Sequence, residues 1–190
     1  LPLTGRRRCT RDEAVARLDG RGLAARWRRA VRGALAELRL VEVPYRLFEV
    51  RVENAGVARV RWLAVDAITG SLDLHGFEEP VDGTWGEPSA EAERVPACAP
   101  PERLAKVVEE CVRRQVYARG FFQLRALRIA VRDTGRTLAI PYWVGIRRKG
   151  RRASVEVLGA WRGRREGARL VDALRPWIAA PRSQLDHAAR

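Results

Sequence analysis

VEVPYRLFEVRVENAGVARVRWLAVDAITG, residues 41–70, decides the fold class. From Val41 the side chains alternate with a period of two. Arg46, Phe48, Val50 and Val52 fall on one face of a strand, and Tyr45, Leu47, Glu49 and Arg51 on the other, because successive strand residues point to opposite sides. Glu53-Asn54-Ala55-Gly56 supplies a turn. On the return, Ala58, Val60, Trp62 and Ala64 alternate with Arg59, Arg61, Leu63 and Val65. Asp66-Ala67-Ile68-Thr69-Gly70 then makes a tight corner. An aspartate there accepts backbone N–H groups, and a glycine takes a positive φ. Asp66, Thr69 and Gly70 are therefore structural turn residues in this reading. Ser71 to His75 is expected to add a short strand.

Helical periods flank this hairpin. Upstream, Thr10-Arg11-Asp12-Glu13 forms a capping box, in which hydroxyl and carboxylate satisfy amides at a helix start. Gly20 and Gly22 interrupt that helix. A second run places Leu23, Trp27, Ala30, Val31, Ala34, Leu35 and Leu38 on one stripe, with Arg21, Arg28, Arg29, Arg32 and Arg39 opposite. The pattern predicts a helix packed on a sheet by its apolar stripe, with the arginines in solvent. The alternative reading is a helix that binds a membrane surface or a polyanion. Downstream, residues 76–101 hold five of the ten prolines and several acids, and read as a linker or long loop.

Pro100-Pro101 leads into a helix with Leu104, Val107, Val108, Cys111 and Val112 on one face, ending near Gly120. Three strands are expected next: Leu127 to Arg132, Leu138 to Ile146 after an Asp133-Thr134-Gly135 turn, and Ala153 to Val157. A last helix carries Leu170, Val171, Leu174, Trp177 and Ile178 on one face, with Pro176 as a kink and a frayed tail beyond Pro181. The second half echoes the first. Val43-Pro44-Tyr45 and Ile140-Pro141-Tyr142 each begin a strand, and each hairpin ends in a five-residue corner closed by glycine, the second being Gly159-Ala160-Trp161-Arg162-Gly163. A diverged duplication is expected. The fold class is α+β: two related units, each an amphipathic helix on a small antiparallel sheet, plus a C-terminal helix. The expected domains are residues 1–76, a linker at 77–101, and residues 102–190.

A helix followed by a hairpin that runs into Val65-Asp66-Ala67-Ile68-Thr69-Gly70 resembles a PepSY-type domain. The resemblance covers residues 11–77 and, more loosely, 102–165, where Gly159 and Arg162 replace the corner aspartate and threonine. It implies a non-catalytic module that binds or restrains a partner, in the manner of protease propeptides and extracytoplasmic proteins. No charged-then-apolar leader is visible, so a cytoplasmic setting is expected instead. The chain contains no Met, and a trimmed or unusual start is expected. Leu1-Pro2-Leu3-Thr4-Gly5 matches a sortase sorting pattern by letters, but Arg6-Arg7-Arg8 follows where an apolar tail is needed.

The 190 residues are 46% apolar and 32% charged, enough apolar surface for a folded, soluble chain with a substantial core. The longest apolar run, Leu138 to Ile146, has nine residues, while a spanning helix needs about 20. The net charge is +14 and the pI near 11.2. Only Lys106 and Lys149 are lysines, so arginine carries the charge, as in a GC-rich coding sequence. The charge is banded: +8 over 1–61 (15 basic, 7 acidic), −8 over 66–110 (3 and 11) and +11 over 119–169 (14 and 3). Such fields steer anionic partners, unless the acidic middle folds against the basic segments.

Catalytic chemistry finds few carriers. His75 and His187 stand apart, and Cys9, Cys98 and Cys111 lack paired spacing, against the three or four ligands that zinc requires. Gly159 to Gly167 lacks the Gly-Lys-Ser/Thr ending of a phosphate loop. Asp66 with Glu49 or Asp73 would make a carboxylate pair, but the corner accounts for Asp66. The expectation is a protein that is not an enzyme, with no catalytic residue, cofactor or metal. Two binding surfaces are candidates. Arg125, Arg128, Arg132, Arg147, Arg148, Lys149, Arg151 and Arg152 form a candidate nucleic-acid or other polyanion surface. Trp62 and Trp143 are candidate contacts for a protein partner, with core packing as their other role.

Overall fold

The computed structural model describes residues 9–20, 22–54, 56–71, 74–79, 91–118, 127–161 and 163–179. Thr10 opens α1 (Arg11–Asp19) with the full capping box: its hydroxyl accepts from the Glu13 N–H, and the Glu13 carboxylate accepts from the Thr10 N–H. Next come α2 (Gly22–Arg32), β1 (Ala34–Asn54), β2 (Val57–Asp66), β3 (His75–Phe77) and β4 (Glu93–Arg94). The chain finishes with α3 (Pro101–Ala118), β5 (Arg128–Lys149), β6 (Arg152–Gly159) and α4 (Ala168–Ala179). The fold is α+β. The sheet order is β3-β2-β1-β5-β6, with β4 parallel to β1.

Several boundaries differ from expectation, each for a local reason. The second helical stripe does not reach Leu38, because α2 stops at Arg32 and Ala34, Leu35 and Leu38 belong to β1. Gly33 ends the helix at φ +88, where its N–H still bonds the Arg29 carbonyl. A Cβ on Gly33 would lie 2.1 Å from the Arg148 carbonyl oxygen, so close approach of β5 fixes the break. Asp133-Thr134-Gly135 is not a turn between strands. It lies inside the 22-residue β5, and Gly135 takes φ +76 within the strand. Asp133 pairs with Arg46, and Thr134 Oγ1 donates to the Leu47 carbonyl at 2.7 Å, so neighbouring β1 absorbs the irregularity. The short strand falls at His75–Phe77 rather than 71–75, paired with Trp62 to Ala64. The end of the expected linker is built into the fold: β4 pairs with Val41 and Glu42, and the Val95 N–H donates to the Glu42 carbonyl. The tail beyond Pro181 and the first eight residues lie outside the described residues.

Two compact units make up the chain, and both draw on both halves of the sequence. The first is built on Pro44–Glu87 and Ala97–Ala139. Here α3 lies on the face of the β1–β2 hairpin formed by Phe48, Val50, Val52, Leu63 and Val65, inserting Leu104, Val108 and Val112. Burial of each such side chain contributes about 1.5–3 kcal/mol. The second is built on Gly5–Val43, Pro88–Pro96 and Ile140–Arg190. Here α1 packs Ala14 and Leu18 on Leu158 and Trp143, while Leu170, Leu174 and Trp177 of α4 are buried, with α4 against β6. Leu18 and Leu35 methyls fill the space a Cβ would need at Gly145. The sequence segments 1–76 and 102–190 are thus interleaved, since β1 and β5 each give one stretch to each unit.

Gly33→Ala combines an unfavourable φ with a backbone clash. It is expected to destabilise the fold by about 2 kcal/mol or more, measured by urea denaturation. Gly150→Ala, at φ +56 with open space around it, is expected to cost only about 1–2 kcal/mol.

Candidate functional site

The most densely charged region of the interior sits where α1, α2, β5 and β6 meet in the second unit. Arg147 is the largest fully buried side chain, at 0% exposure. Its Nη1 donates to Asp19 Oδ1 (3.1 Å) and the Gly33 carbonyl (3.0 Å), Nη2 to the Leu18 carbonyl (2.8 Å), and Nε to Glu156 Oε2 (3.2 Å). The planar guanidinium suits this role because its five donors reach carboxylates and carbonyls at fixed angles. Arg29 closes on Asp19, Arg32 on Glu156 at 2.7 Å, and Arg165 on Glu156 at 3.3 Å. Arg28 and Arg165 also donate to the Leu18 carbonyl, where the end of α1 offers unpaired acceptors and a partial negative charge.

The carboxylates respond to this surrounding charge. The Arg29 hydrogen bonds, helped by Arg147, hold the Asp19 carboxyl below the usual carboxylate range against the opposing effect of burial. For Glu156, burial is the largest influence and raises the pKa, but hydrogen bonds from Arg32 and Arg147 and the charge of Arg165 outweigh it and leave the pKa lowered. Both groups are therefore anions at neutral pH, committed to arginines. Arg147 accordingly does not belong to the expected polyanion surface; its donors are spent on the interior.

The remaining members of that set fall into separate places. Arg125 lies outside the described residues. Arg128 and Arg132 are exposed on β5 in the first unit, where Arg132 pairs with Glu49. Arg148, Lys149, Arg151 and Arg152 are exposed at the β5–β6 tip in the second unit, where Lys149 pairs across the hairpin with Arg152. Lys149 Nζ donates to the Ala30 carbonyl of α2. Beside the tip, an open groove of about 850 Å³ has an apolar floor of Ile146, Val155, Val171 and Ile178, and Arg148, Arg151, Arg152 and Arg175 stand around it. Of the acidic stretch, Glu93 approaches Arg39 at 3.7 Å, while Glu109 and Glu110 pair one turn along α3 with Arg113 and Arg114.

The two tryptophans part company. Trp143 is a packing residue: its Nε1 donates to the Cys9 carbonyl at 2.8 Å, and its ring lies against Cys9, Ala14, Leu18 and Leu158. Trp62 is half-buried in the first unit, on the face opposite α3, opposite Glu49 on β1 and Phe77 on β3. Asp66 is fully buried, and its Oδ1 accepts from the Ile68, Thr69 and Gly70 N–H groups and from the Thr69 hydroxyl, at 2.6–3.2 Å. Gly70 sits at φ +69 against Leu104 of α3. His75 is half-buried, with its ring 4.9 Å from that of Tyr45.

All three cysteines are free. Burial, followed by the charge of Glu13, raises the Cys9 thiol pKa and keeps it protonated. Among the described residues, no three His, Cys, Asp or Glu side chains converge as metal ligands, and no helix is long and apolar enough to cross a membrane. No family model, curated protein or solved structure matches the chain.

Sequence reasoning missed the Arg147 cluster, although a signal existed. Leu138 to Ile146 is apolar on both alternating faces, which marks a strand covered on both sides, and Arg147 continues it. Arg147→Met would leave Asp19 and Glu156 with only their outer arginines. It is expected to cost about 3 kcal/mol at neutral pH, measured by urea denaturation. Because Asp19 and Glu156 have depressed folded pKa values, their stabilisation is present above the unfolded carboxylate pKa and is lost as pH falls through the folded values. Wild-type stability is therefore expected to decline below about pH 4, and Arg147→Met to flatten that decline.

Proposed function

We propose that this chain is a non-catalytic protein-interaction module built from two duplicated helix-and-hairpin units, with PepSY-like restraint of a partner as its mode of action. The carrying observation is the Trp62 face of the first unit. Trp62 is half-buried there, Val60 is 44% exposed and Arg51 is exposed, while α3, the one helix among the described residues of this unit, occupies the other face. A tryptophan set beside an exposed valine and a charged rim has the composition of a contact patch.

The duplication is supported by matching local geometry. The Ala67 N–H donates to the Pro44 carbonyl at 2.8 Å, and the Ala160 N–H to the Pro141 carbonyl at 3.0 Å. Tyr45 pairs with Asp66, and Tyr142 with Gly159. Each corner alanine then accepts from a cysteine N–H just ahead of a helix: Cys98 before α3 on Ala67, and Cys9 before α1 on Ala160. The helix docked to each hairpin comes from the other half of the sequence. This is the reciprocal exchange expected when two copies of a helix–hairpin are fused and swap helices. The Asp66 corner supports the PepSY likeness, with the distinction that α3, the helix on that hairpin, follows it in the chain.

A second reading, polyanion binding, is favoured by the exposed Arg148, Lys149, Arg151 and Arg152 at one hairpin tip. Affinity capture with nuclease treatment separates the two. The interaction reading expects one stoichiometric protein, with recovery falling roughly tenfold for Val60→Glu, a charge placed beside Trp62. Recovery of nucleic acid alone would favour the second reading. In that case, affinity for single-stranded DNA should fall with salt by roughly 0.7 log unit per log salt for each phosphate neutralised.

A further inference from the structure

Helix α2 is turned inside out. Its residues divide by helical angle into two arcs. Ala25, Arg28, Arg29 and Arg32 form the inner arc: Ala25 is buried, Arg28 bonds the Leu18 carbonyl, Arg29 bonds Asp19, and Arg32 bonds Glu156. Leu23, Trp27 and Val31, spaced i, i+4 and i+8, form a single outer stripe. Leu23 is 81% exposed, Trp27 70% and Val31 49%. This overturns the expectation that the apolar stripe packs on a sheet, while Arg29 and Arg32 remain more than half exposed as they pair with Asp19 and Glu156. The arginines lie on this arc because their head groups reach carboxylates and a carbonyl beside the helix.

Cations border the outer stripe on one flank and at its C-terminal end. Arg26 is exposed on its flank. At its C-terminal end Lys149 Nζ holds the Ala30 and Val31 carbonyls, which brings the β5–β6 tip with Arg148, Arg151 and Arg152 beside it. Gly33, two residues after Val31, touches the Arg148 backbone. Between Asp19 and Glu37 the sequence holds no acidic residue, so no carboxylate of α2 itself offsets these cations.

We propose that α2 and the β5–β6 tip form a docking surface for an anionic lipid bilayer, with Leu23, Trp27 and Val31 entering the headgroup region and the tip cations meeting lipid phosphates. Charge complementarity selects this occupant. An isologous contact with a second copy would bring the same patch against itself, setting Arg26 and the tip cations of one chain against those of another on a protein of net charge +14. An anionic surface neutralises those cations while the boundary region covers the apolar stripe, and a tryptophan on such a stripe is suited to that boundary. Three apolar side chains make the binding reversible and dependent on both signals. The proposal is independent of the Trp62 face.

The test is co-sedimentation with vesicles of phosphatidylcholine alone and of phosphatidylcholine with about 30% phosphatidylglycerol. The wild-type chain is expected to bind the anionic vesicles, to bind the neutral ones at least roughly tenfold more weakly, and to release in high salt. The double variant Leu23→Ser/Trp27→Ser removes exposed side chains and is expected to lose roughly tenfold in affinity for the anionic vesicles. Arg151→Glu/Arg152→Glu keeps the stripe and is expected to weaken binding as well. Tryptophan emission should shift to the blue on binding in the wild type, and the shift should shrink in Trp27→Phe. Failure of the wild type to bind anionic vesicles overturns the proposal. So does undiminished binding by Leu23→Ser/Trp27→Ser, which would leave charge alone as the cause. A concentration-dependent dimer abolished by that same double variant overturns it too, by giving the stripe to a second copy.

Discussion

A buried guanidinium organises the second unit. Taking Arg147 out of water is costly unless its donors and its charge are met, and four hydrogen bonds, two of them to carboxylates, meet them here. Asp19 and the Leu18 carbonyl come from the last turn of α1, the Gly33 carbonyl from the junction of α2 with β1, and Glu156 from β6. Three segments, the end of α1, the α2–β1 junction and β6, are therefore held by one side chain of β5. The two carboxylates also pair with Arg29 and Arg32 of α2, so the arginine arc of the helix lies beside them and its apolar arc lies outward. The solvent-facing Leu23, Trp27 and Val31 are a consequence of the buried charge.

The two hairpins solve the same packing problem in different ways. Val50 lies six residues after Pro44, and Arg147 six after Pro141, and both are fully buried. In the first unit the valine meets Val108 and Val112 of an ordinary amphipathic helix, and the core is apolar. In the second unit the arginine meets the end of α1. The partner must then supply carbonyls and carboxylates in place of methyls. The apolar solution gains from removing hydrocarbon from water and tolerates small shifts. The charged solution depends on directed bonds, so it specifies the position of each segment more narrowly.

Local chemistry was readable where it is short-range. The Thr10–Glu13 box, the Asn54–Gly56 turn and the apolar arcs of α3 and α4 are each decided by residues within a turn or two of one another. The Asp133-Thr134-Gly135 stretch misled because its composition suits a turn and it does make the local bonds from Gly135 and Arg136, yet Arg46 and Leu47, more than 80 residues away, also bond it and keep it within the strand. The helical stripe at Ala34, Leu35 and Leu38 misled in the same way, since the Arg148 carbonyl that stops α2 at Gly33 is more than 100 residues distant in the chain. Arg147 read as one more member of a basic run because Arg148, Lys149, Arg151 and Arg152 follow it, while Asp19 and the Gly33 carbonyl that receive it are more than 100 residues away.

The sequence by itself determined the α+β class, the hairpins, the capped first helix and the strongly cationic character, because periodicity, turn residues and formal charge are local quantities. Tertiary structure alone decided which helix covers which hairpin, which arginine is interior, and which face of α2 meets solvent. Those outcomes depend on the balance between desolvating a charge and pairing it. That balance is set only when segments from both halves of the chain come within hydrogen-bonding distance.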